Sequence, residues 1–200
     1  KIFKKNGSKF AELPIHLLVT FPIALTYTEE YRNIQIWLPN LEKLPMIKLK
    51  NWVKDHYESG YTEGTETMRR IVEKRADLGL FENGVLDLLI SQTGGYIRDL
   101  FRCIGKAAIR ARVRRADTIS IEDAELALNL LESDINGCYS SDLIPAMKDI
   151  YEGHKHVNSS EEITKLMQVG AVLEYNGTRW CDLHPLVEKW LLEHQKLGAG

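Results

Sequence analysis

The stretch Thr93-Gly94-Gly95-Tyr96-Ile97-Arg98-Asp99-Leu100-Phe101 predicts the start of a helix, with Thr93 as its N-cap and an arginine in its first turn. Apolar residues then recur at helical spacing on one face: Ile97, Leu100, Phe101, Ile104, Ala108 and Ala111. Arg98 lies off that face, beside the unpaired N–H groups and partial positive charge of a helix N-terminus, which suits a phosphate. The same residues are also compatible with a plain turn followed by a solvated arginine, so the surrounding sequence is needed to distinguish the two interpretations.

Two neighbouring segments occur with this stretch in a fixed order. Residues 80–92 precede the stretch and contain a predicted helix that follows Asn83-Gly84. The segment after the stretch is Thr118-Ile119-Ser120-Ile121-Glu122-Asp123-Ala124. Together they resemble the helical lid of AAA+ (P-loop) ATPases, most closely the initiator-type branch with archaeal and bacterial members. The resemblance implies that Arg98 is the sensor 2 arginine, that Gly94 and Gly95 belong to the same cofactor-binding turn, and that ATP with Mg is held mainly by a P-loop core preceding this segment.

Composition narrows the range of functions. The chain has 200 residues with 44% hydrophobic content and a net charge of -2, so charge provides no general drive toward nucleic acid or an anionic membrane. The three cysteines are odd in number and widely spaced, which favours a reducing compartment. With no apolar run of membrane-spanning length and no signal peptide, we expect a cytoplasmic protein. The chain opens at Lys1 in mid-pattern, and we expect it to be a piece of something longer.

The first 52 residues are expected to be the remnant of an α/β core. Residues 15–20 and 46–49 each predict a short buried strand. The resemblance would place Thr20 at sensor 1, although family members often have Asn there, and Arg32 at an arginine finger reaching a neighbouring subunit. A threonine that ends a strand and a surface arginine are the competing interpretations. Because the strand between these two would be missing, we expect exposed edges, irregular structure or self-association.

The motifs that would hold nucleotide are missing from the chain. It contains neither Gly-x-x-x-x-Gly-Lys-Ser/Thr nor an apolar strand ending in Asp-Glu, so the phosphate cradle and the Mg ligand are absent. The resemblance makes the parent protein an ATPase. This chain alone is expected to be inactive.

Residues 53–136 are predicted to form a four-helix lid, and residues 137–200 a winged-helix domain, so that the fold class is mainly α. In the lid, Ser120 and Asp123 predict a capping box. One lid helix also carries a basic run, which could follow a nucleic-acid backbone or form a solvated face: Arg102, Lys106, Arg110, Arg112, Arg114 and Arg115. In the winged helix, Asn176-Gly177 predicts a hairpin with a two-residue turn.

The charge of the C-terminal part argues against strong DNA binding. Residues 141–200 contain six Lys and Arg against nine Asp and Glu, and phosphate neutralisation supplies most of such affinity. We therefore expect a partner-protein or intramolecular contact here. His154 with His156, and Cys181 with His184, do not supply the four ligands of a structural zinc, and no metal site is predicted.

Two functions remain. The first couples ATP binding and hydrolysis in the P-loop core to movement of the lid and winged helix, in a homo-oligomer or with a partner protein. The second is a non-catalytic winged-helix module that binds DNA or protein.

Overall fold

The computed structural model describes residues 9, 12, 14–38, 40–53, 56–153, 157–175 and 179–197, and this part of the chain is mainly helical, as predicted. The α-helices are α1 (Glu30–Trp37), α2 (Thr62–Glu73), α3 (Val85–Gln92), α4 (Ile97–Val113), α5 (Ile121–Asn136), α6 (Ile144–Tyr151), α7 (Glu161–Gln168) and α8 (Pro185–Leu197). The strands are β1 (Lys50–Val53) with β2 (His56–Ser59), and β3 (Val172–Glu174) with β4 (Cys181–Leu183), each pair antiparallel. Within the described ranges, no helix is both long enough and apolar enough to cross a bilayer.

Helices α2 to α5 pack into one cluster whose centre is the contact between α4 and α5. Small buried side chains such as Ala107 and Ala111 on α4 and Ala124 and Ala127 on α5 let the two backbones come close. The predicted buried stripe on α4 is corrected at one position, because Ala108 is exposed and Ala107 is buried. Both residues have a helical spacing from Leu100, but residue 107 lies about 20° from it around the helix and residue 108 about 80°, at the edge of the buried stripe.

The start of α5 follows the predicted capping box. Ser120 accepts a hydrogen bond from the Asp123 N–H, and the Asp123 carboxylate accepts one from the Ser120 N–H at 3.1 Å. Each group satisfies a backbone donor that the first turn of a helix leaves without an acceptor.

Helices α6, α7 and α8 surround the β3–β4 hairpin. Val172 pairs with Leu183 and Glu174 with Cys181, and the Tyr175 N–H donates to the Trp180 carbonyl at 3.0 Å. The two-residue turn predicted at Asn176-Gly177 stays a prediction. Asn176 and Gly177 lie outside the described residues.

The two strands predicted in the N-terminal third are absent. Residues 15–20 and 46–49 have no strand geometry, and β1 begins only at Lys50. Large apolar side chains of the first segment face solvent, with Ile15 62% and Leu18 94% exposed. A strand requires a neighbouring strand with which it forms a ladder of hydrogen bonds. Met46 and Ile47 donate only single backbone bonds, to the Glu174 and Gly95 carbonyls, and residues 15–20 join no ladder in the described chain.

Candidate functional site

The glycine pair at residues 94 and 95 forms the turn between α3 and α4. The sequence predicts Thr93 as the N-cap of α4, and this prediction is wrong. Thr93 is the C-cap of α3, and its buried hydroxyl donates to the Leu89 carbonyl at 2.8 Å. Gly94 and Gly95 then take φ values of +61° and +77°, and α4 begins at Ile97 with Tyr96 as its N-cap. Only glycine adopts such left-handed angles without steric cost, so both glycines serve to reverse the chain.

Both glycines lie close against other parts of this chain. A Cβ added to Gly95 would lie 1.8 Å from the Ile47 carbonyl oxygen, and the Ile47 N–H donates to the Gly95 carbonyl at 3.2 Å. A Cβ on Gly94 would lie 2.7 Å from Pro185 at the start of α8 and 3.0 Å from Leu173 in β3. The lack of a side chain at both glycines therefore lets other segments of this chain pack closely against the turn.

Arg98 is the exposed part of the motif. It lies in the first turn of α4 with its guanidinium 5.7 Å from the centre of the Tyr96 ring. Among the described residues it has no ion pair. The N–H groups of Ile97 and Arg98 lie at the first two helical positions, where no acceptor exists inside the helix. An exposed cation therefore lies beside free backbone donors and the positive end of a helix 17 residues long.

Most of the basic run that follows Arg98 is neutralised by carboxylates of α5. Arg102 lies 2.9 Å and Lys106 3.5 Å from Asp134, while Arg110 lies 3.8 Å from Asp123 and Arg114 forms a two-point contact with Asp123. The hydrogen bond from Arg114 lowers the pKa of Asp123 to about 2. These side chains bind α4 to α5, which weakens the nucleic-acid interpretation of the run.

Thr20 and Arg32 are placed apart from the features of α4. Thr20 is exposed in the irregular segment 15–20, so the strand-end position expected of a sensor 1 group does not form in the described chain. Arg32, on α1, lines an open cleft together with Ser160 and Glu161 at the N-terminus of α7. Neither Thr20 nor Arg98 is among the residues that line this cleft. The roles of Thr20 and Arg32 stay predictions.

Helix α7 is in contact with the N-terminal segment. A short 3-10 turn, Ile23–Tyr27, packs against α7. Arg179 joins the two: its guanidinium donates to the Ser159 hydroxyl at 2.9 Å and to the Thr26 carbonyl at 3.4 Å, and lies 5.0 Å from the centre of the Tyr27 ring. Sequence reasoning missed this arrangement, because nothing local marks Arg179 as a partner of residues some 150 positions earlier.

A buried carboxylate lies under the same contact. Glu174 is fully buried and accepts a hydrogen bond from the Tyr27 hydroxyl at 2.8 Å. Cys181 lies 3.3 Å from that hydroxyl. Burial raises the pKa of Tyr27, and burial also raises the pKa of Cys181 to about 12. The thiol and phenol stay protonated at neutral pH, so this cluster provides no nucleophile.

Of the side chains considered as zinc ligands, only Cys181 and His184 are among the described residues. His154 and His156 lie outside the described residues, and those that are described contain no group of three or more His, Cys, Asp or Glu side chains arranged to hold a metal. His184 is fully buried, and its Nδ1 accepts a hydrogen bond from the Leu186 N–H at 3.2 Å.

Comparison of the chain with protein-family models, curated proteins and solved structures finds no match.

Proposed function

We propose that this chain is the lid and winged-helix portion of an AAA+ ATPase, in which Arg98 contacts the phosphates of ATP held with Mg by a P-loop core of the same polypeptide. In this proposal α2 to α5 form the lid, and α6 to α8 with the β3–β4 hairpin form the winged helix. The chain itself has no phosphate cradle and is inactive alone.

One observation carries the proposal. Arg98 differs from four of the cations that follow it in the sequence, because those four are paired with Asp123 or Asp134. It differs from Arg112 and Arg115, which also have no ion pair in the described chain, because it lies at the N-terminus of α4 and they lie at the other end. A guanidinium that is exposed, unpaired within the described chain and next to helix N–H groups can form charge-assisted hydrogen bonds to a phosphate.

The turn before α4 offers a path for coupling. Gly94 contacts Pro185 of α8 and Leu173 of β3, and the Tyr175 hydroxyl donates to the Gly94 carbonyl at 2.7 Å. A shift of Arg98 toward bound nucleotide would therefore displace the α3–α4 turn, which is in direct contact with the winged helix. We propose that ATP binding and hydrolysis move the two parts together.

The test is ATP–Mg affinity and turnover of the native polypeptide containing this segment, with and without Arg98→Ala. We expect the substitution to weaken binding or turnover about tenfold or more, as loss of a charge-assisted contact should. Arg98→Lys keeps the charge and should recover part of the effect.

The matched control is Arg112→Ala. Arg112 lies on the same helix, is exposed and has no ion pair among the described residues, but it is near the other end of α4. It should leave ATP binding unchanged. Equal losses from both substitutions, or none from Arg98→Ala, would remove the basis of the proposal.

The non-catalytic alternative is less well supported. The covering of α7 by the Ile23–Tyr27 turn and the acidic residues at its N-terminus, Glu161 and Glu162, both oppose approach of DNA phosphates. A partner protein remains compatible with the proposed function, since the lid and winged helix would transmit movement to it.

A further inference from the structure

Helices α4 and α5 present an apolar surface to solvent beside the line where they pack together. Ile109 and Val113 on α4 are 67% and 78% exposed, and Leu126 and Leu130 on α5 are 37% and 52% exposed. Each pair is spaced by four residues and so shares a helix face. We call these four residues the α4–α5 seam.

Ion pairs show that both pairs border the same boundary between the helices. Lys106, one turn before Ile109 on the same side of α4, reaches across to Asp134, which lies one turn after Leu130 on α5. Arg110 reaches Asp123, which lies about one turn before Leu126. The cations and carboxylates hold α4 and α5 together, which makes the seam a rigid surface.

Charges around the seam divide into a basic half and an acidic half. Residues 98–115 of the α4 region carry seven Arg and Lys, whereas α5 carries five Asp and Glu and no Lys or Arg. After the internal pairs with Asp123 and Asp134, the described chain offers no ion pair to Arg112 or Arg115 on the basic side, or to Glu122 or Glu125 on the acidic side. Such a surface is complementary to its own copy turned through a two-fold axis.

We propose that a second copy of this chain covers the α4–α5 seam, with α4 of one copy lying against α5 of the other. An acidic partner helix would satisfy only the α4 half, and a basic one only the α5 half. A second copy satisfies both while it buries the four apolar side chains from each side. The proposal does not depend on nucleotide binding.

The size of the surface sets the strength expected of this dimer. Two helices of about 16 residues at the usual spacing cover about 24 Å by 20 Å, or about 1,000 Å² in total over both copies. This lies at the lower end of specific interfaces, so the dimer should be weak, with a dissociation constant of about 1 to 100 μM.

The test is sedimentation equilibrium of the chain from about 1 to 300 μM, a span chosen to bracket this expected range. We expect a monomer–dimer equilibrium that Val113→Arg or Leu130→Arg weakens about tenfold or more. Circular dichroism should show unchanged helix content and melting, because both side chains are largely exposed. Leu18→Arg is the matched control, since Leu18 is 94% exposed in the irregular N-terminal segment, and it should leave the dissociation constant unchanged.

A wild-type chain that stays monomeric over the whole range overturns the proposal. So does a dimer that persists in both seam variants, or one that Leu18→Arg dissociates while the seam variants do not. The last result would assign self-association to the exposed N-terminal segment.

Discussion

At the scale of single residues, His184 is the side chain whose protonation should most directly affect folding. It is fully buried between α4 and the start of α8, and burial lowers its pKa to about 4. Its Nδ1 accepts the Leu186 N–H, so the proton of the neutral ring lies on Nε2, 3.8 Å from the Asp99 carboxylate. Within the described chain Nε2 has no hydrogen-bond partner.

This burial predicts a loss of stability in mild acid. In the unfolded chain this histidine binds a proton below a pH of about 6.5. In the folded chain it binds a proton only below a pH of about 4. The free energy of unfolding should therefore fall by about 2 to 3 kcal/mol between pH 7 and pH 4.5, because one pKa unit corresponds to a little over 1 kcal/mol. Urea unfolding at several pH values measures it.

His184→Asn is the control for that prediction. Its side-chain oxygen can still accept the Leu186 N–H, but it does not titrate. Asp99, whose pKa is raised by burial, opposes the histidine because the folded chain takes up its proton more readily. Asp99 is present in both proteins, but it lies 3.8 Å from His184 Nε2, so the difference between their pH profiles reports the titration of His184 together with its coupling to Asp99. Parallel profiles would contradict the assignment.

The exposure of Arg98 could be predicted from the sequence, whereas the pairing of its neighbours could not. Helical spacing alone places residue 98 away from the apolar stripe of α4. The carboxylates that neutralise Arg102 and Arg114 come from α5, and which cation meets Asp134 or Asp123 depends on how the two helices pack. The observation that singles out Arg98 thus required the fold.

At the scale of elements, the segment Met46 to Lys50 ties the two halves of the molecule together. The Met46 N–H donates to the Glu174 carbonyl at 2.8 Å, the Ile47 N–H to Gly95 and the Tyr61 N–H to the Leu49 carbonyl at 3.0 Å. Lys50 forms an ion pair with Glu188 of α8 at 3.1 Å. One extended segment therefore contacts the α3–α4 turn, the β3–β4 hairpin and α8.

Gly95→Ala should weaken the contact between the Met46 to Lys50 segment and the α3–α4 turn. The new Cβ would have to occupy the position of the Ile47 carbonyl, so either that carbonyl or the turn must move, and the backbone at φ +77° adds strain. We expect a loss of about 2 to 4 kcal/mol in the free energy of unfolding. Chemical denaturation provides the value.

Gly84→Ala separates strain from steric overlap. Its φ is +80°, but nothing lies within 4 Å of an added Cβ, so only the left-handed strain of about 1 to 2 kcal/mol applies. If the two substitutions cost the same, the close approach of Ile47 contributes nothing.

Element prediction from sequence succeeded where the needed information is local. The hydrophobic period finds α2 to α5, and Ser120 caps α5 as predicted. The runs at 15–20 and 46–49 are as apolar as buried strands, yet strand formation depends on a distant neighbour. Thr93 was misplaced because a threonine hydroxyl can bond either to the turn ahead or to the carbonyl four residues back, and here the latter wins.

At the scale of the whole molecule, the N-terminal segment is joined through Arg179 to the part formed by α6 to α8 and the β3–β4 hairpin. This residue has a φ of +64°, its N–H donates to Glu174 at 3.1 Å, and its guanidinium reaches both Ser159 and the 3-10 turn Ile23–Tyr27. In the proposed function this contact would carry movement of α7 and the hairpin back toward the ATPase core.

Arg179→Gly should release the N-terminal segment without unfolding the rest. Glycine accepts the left-handed backbone, so the substitution removes only the guanidinium contacts. Hydrogen exchange of the Leu25, Thr28 and Tyr31 amides, which bond within this segment, should speed up about tenfold or more, as loss of one to two kcal/mol of local stability implies. Amides of α2 to α5 should keep their protection.

Arg115→Gly is the matched control, because Arg115 also has a positive φ of 60° but is exposed at the end of α4. Equal exchange in wild type and Arg179→Gly would show that the segment is held by Tyr27 and Glu174 instead.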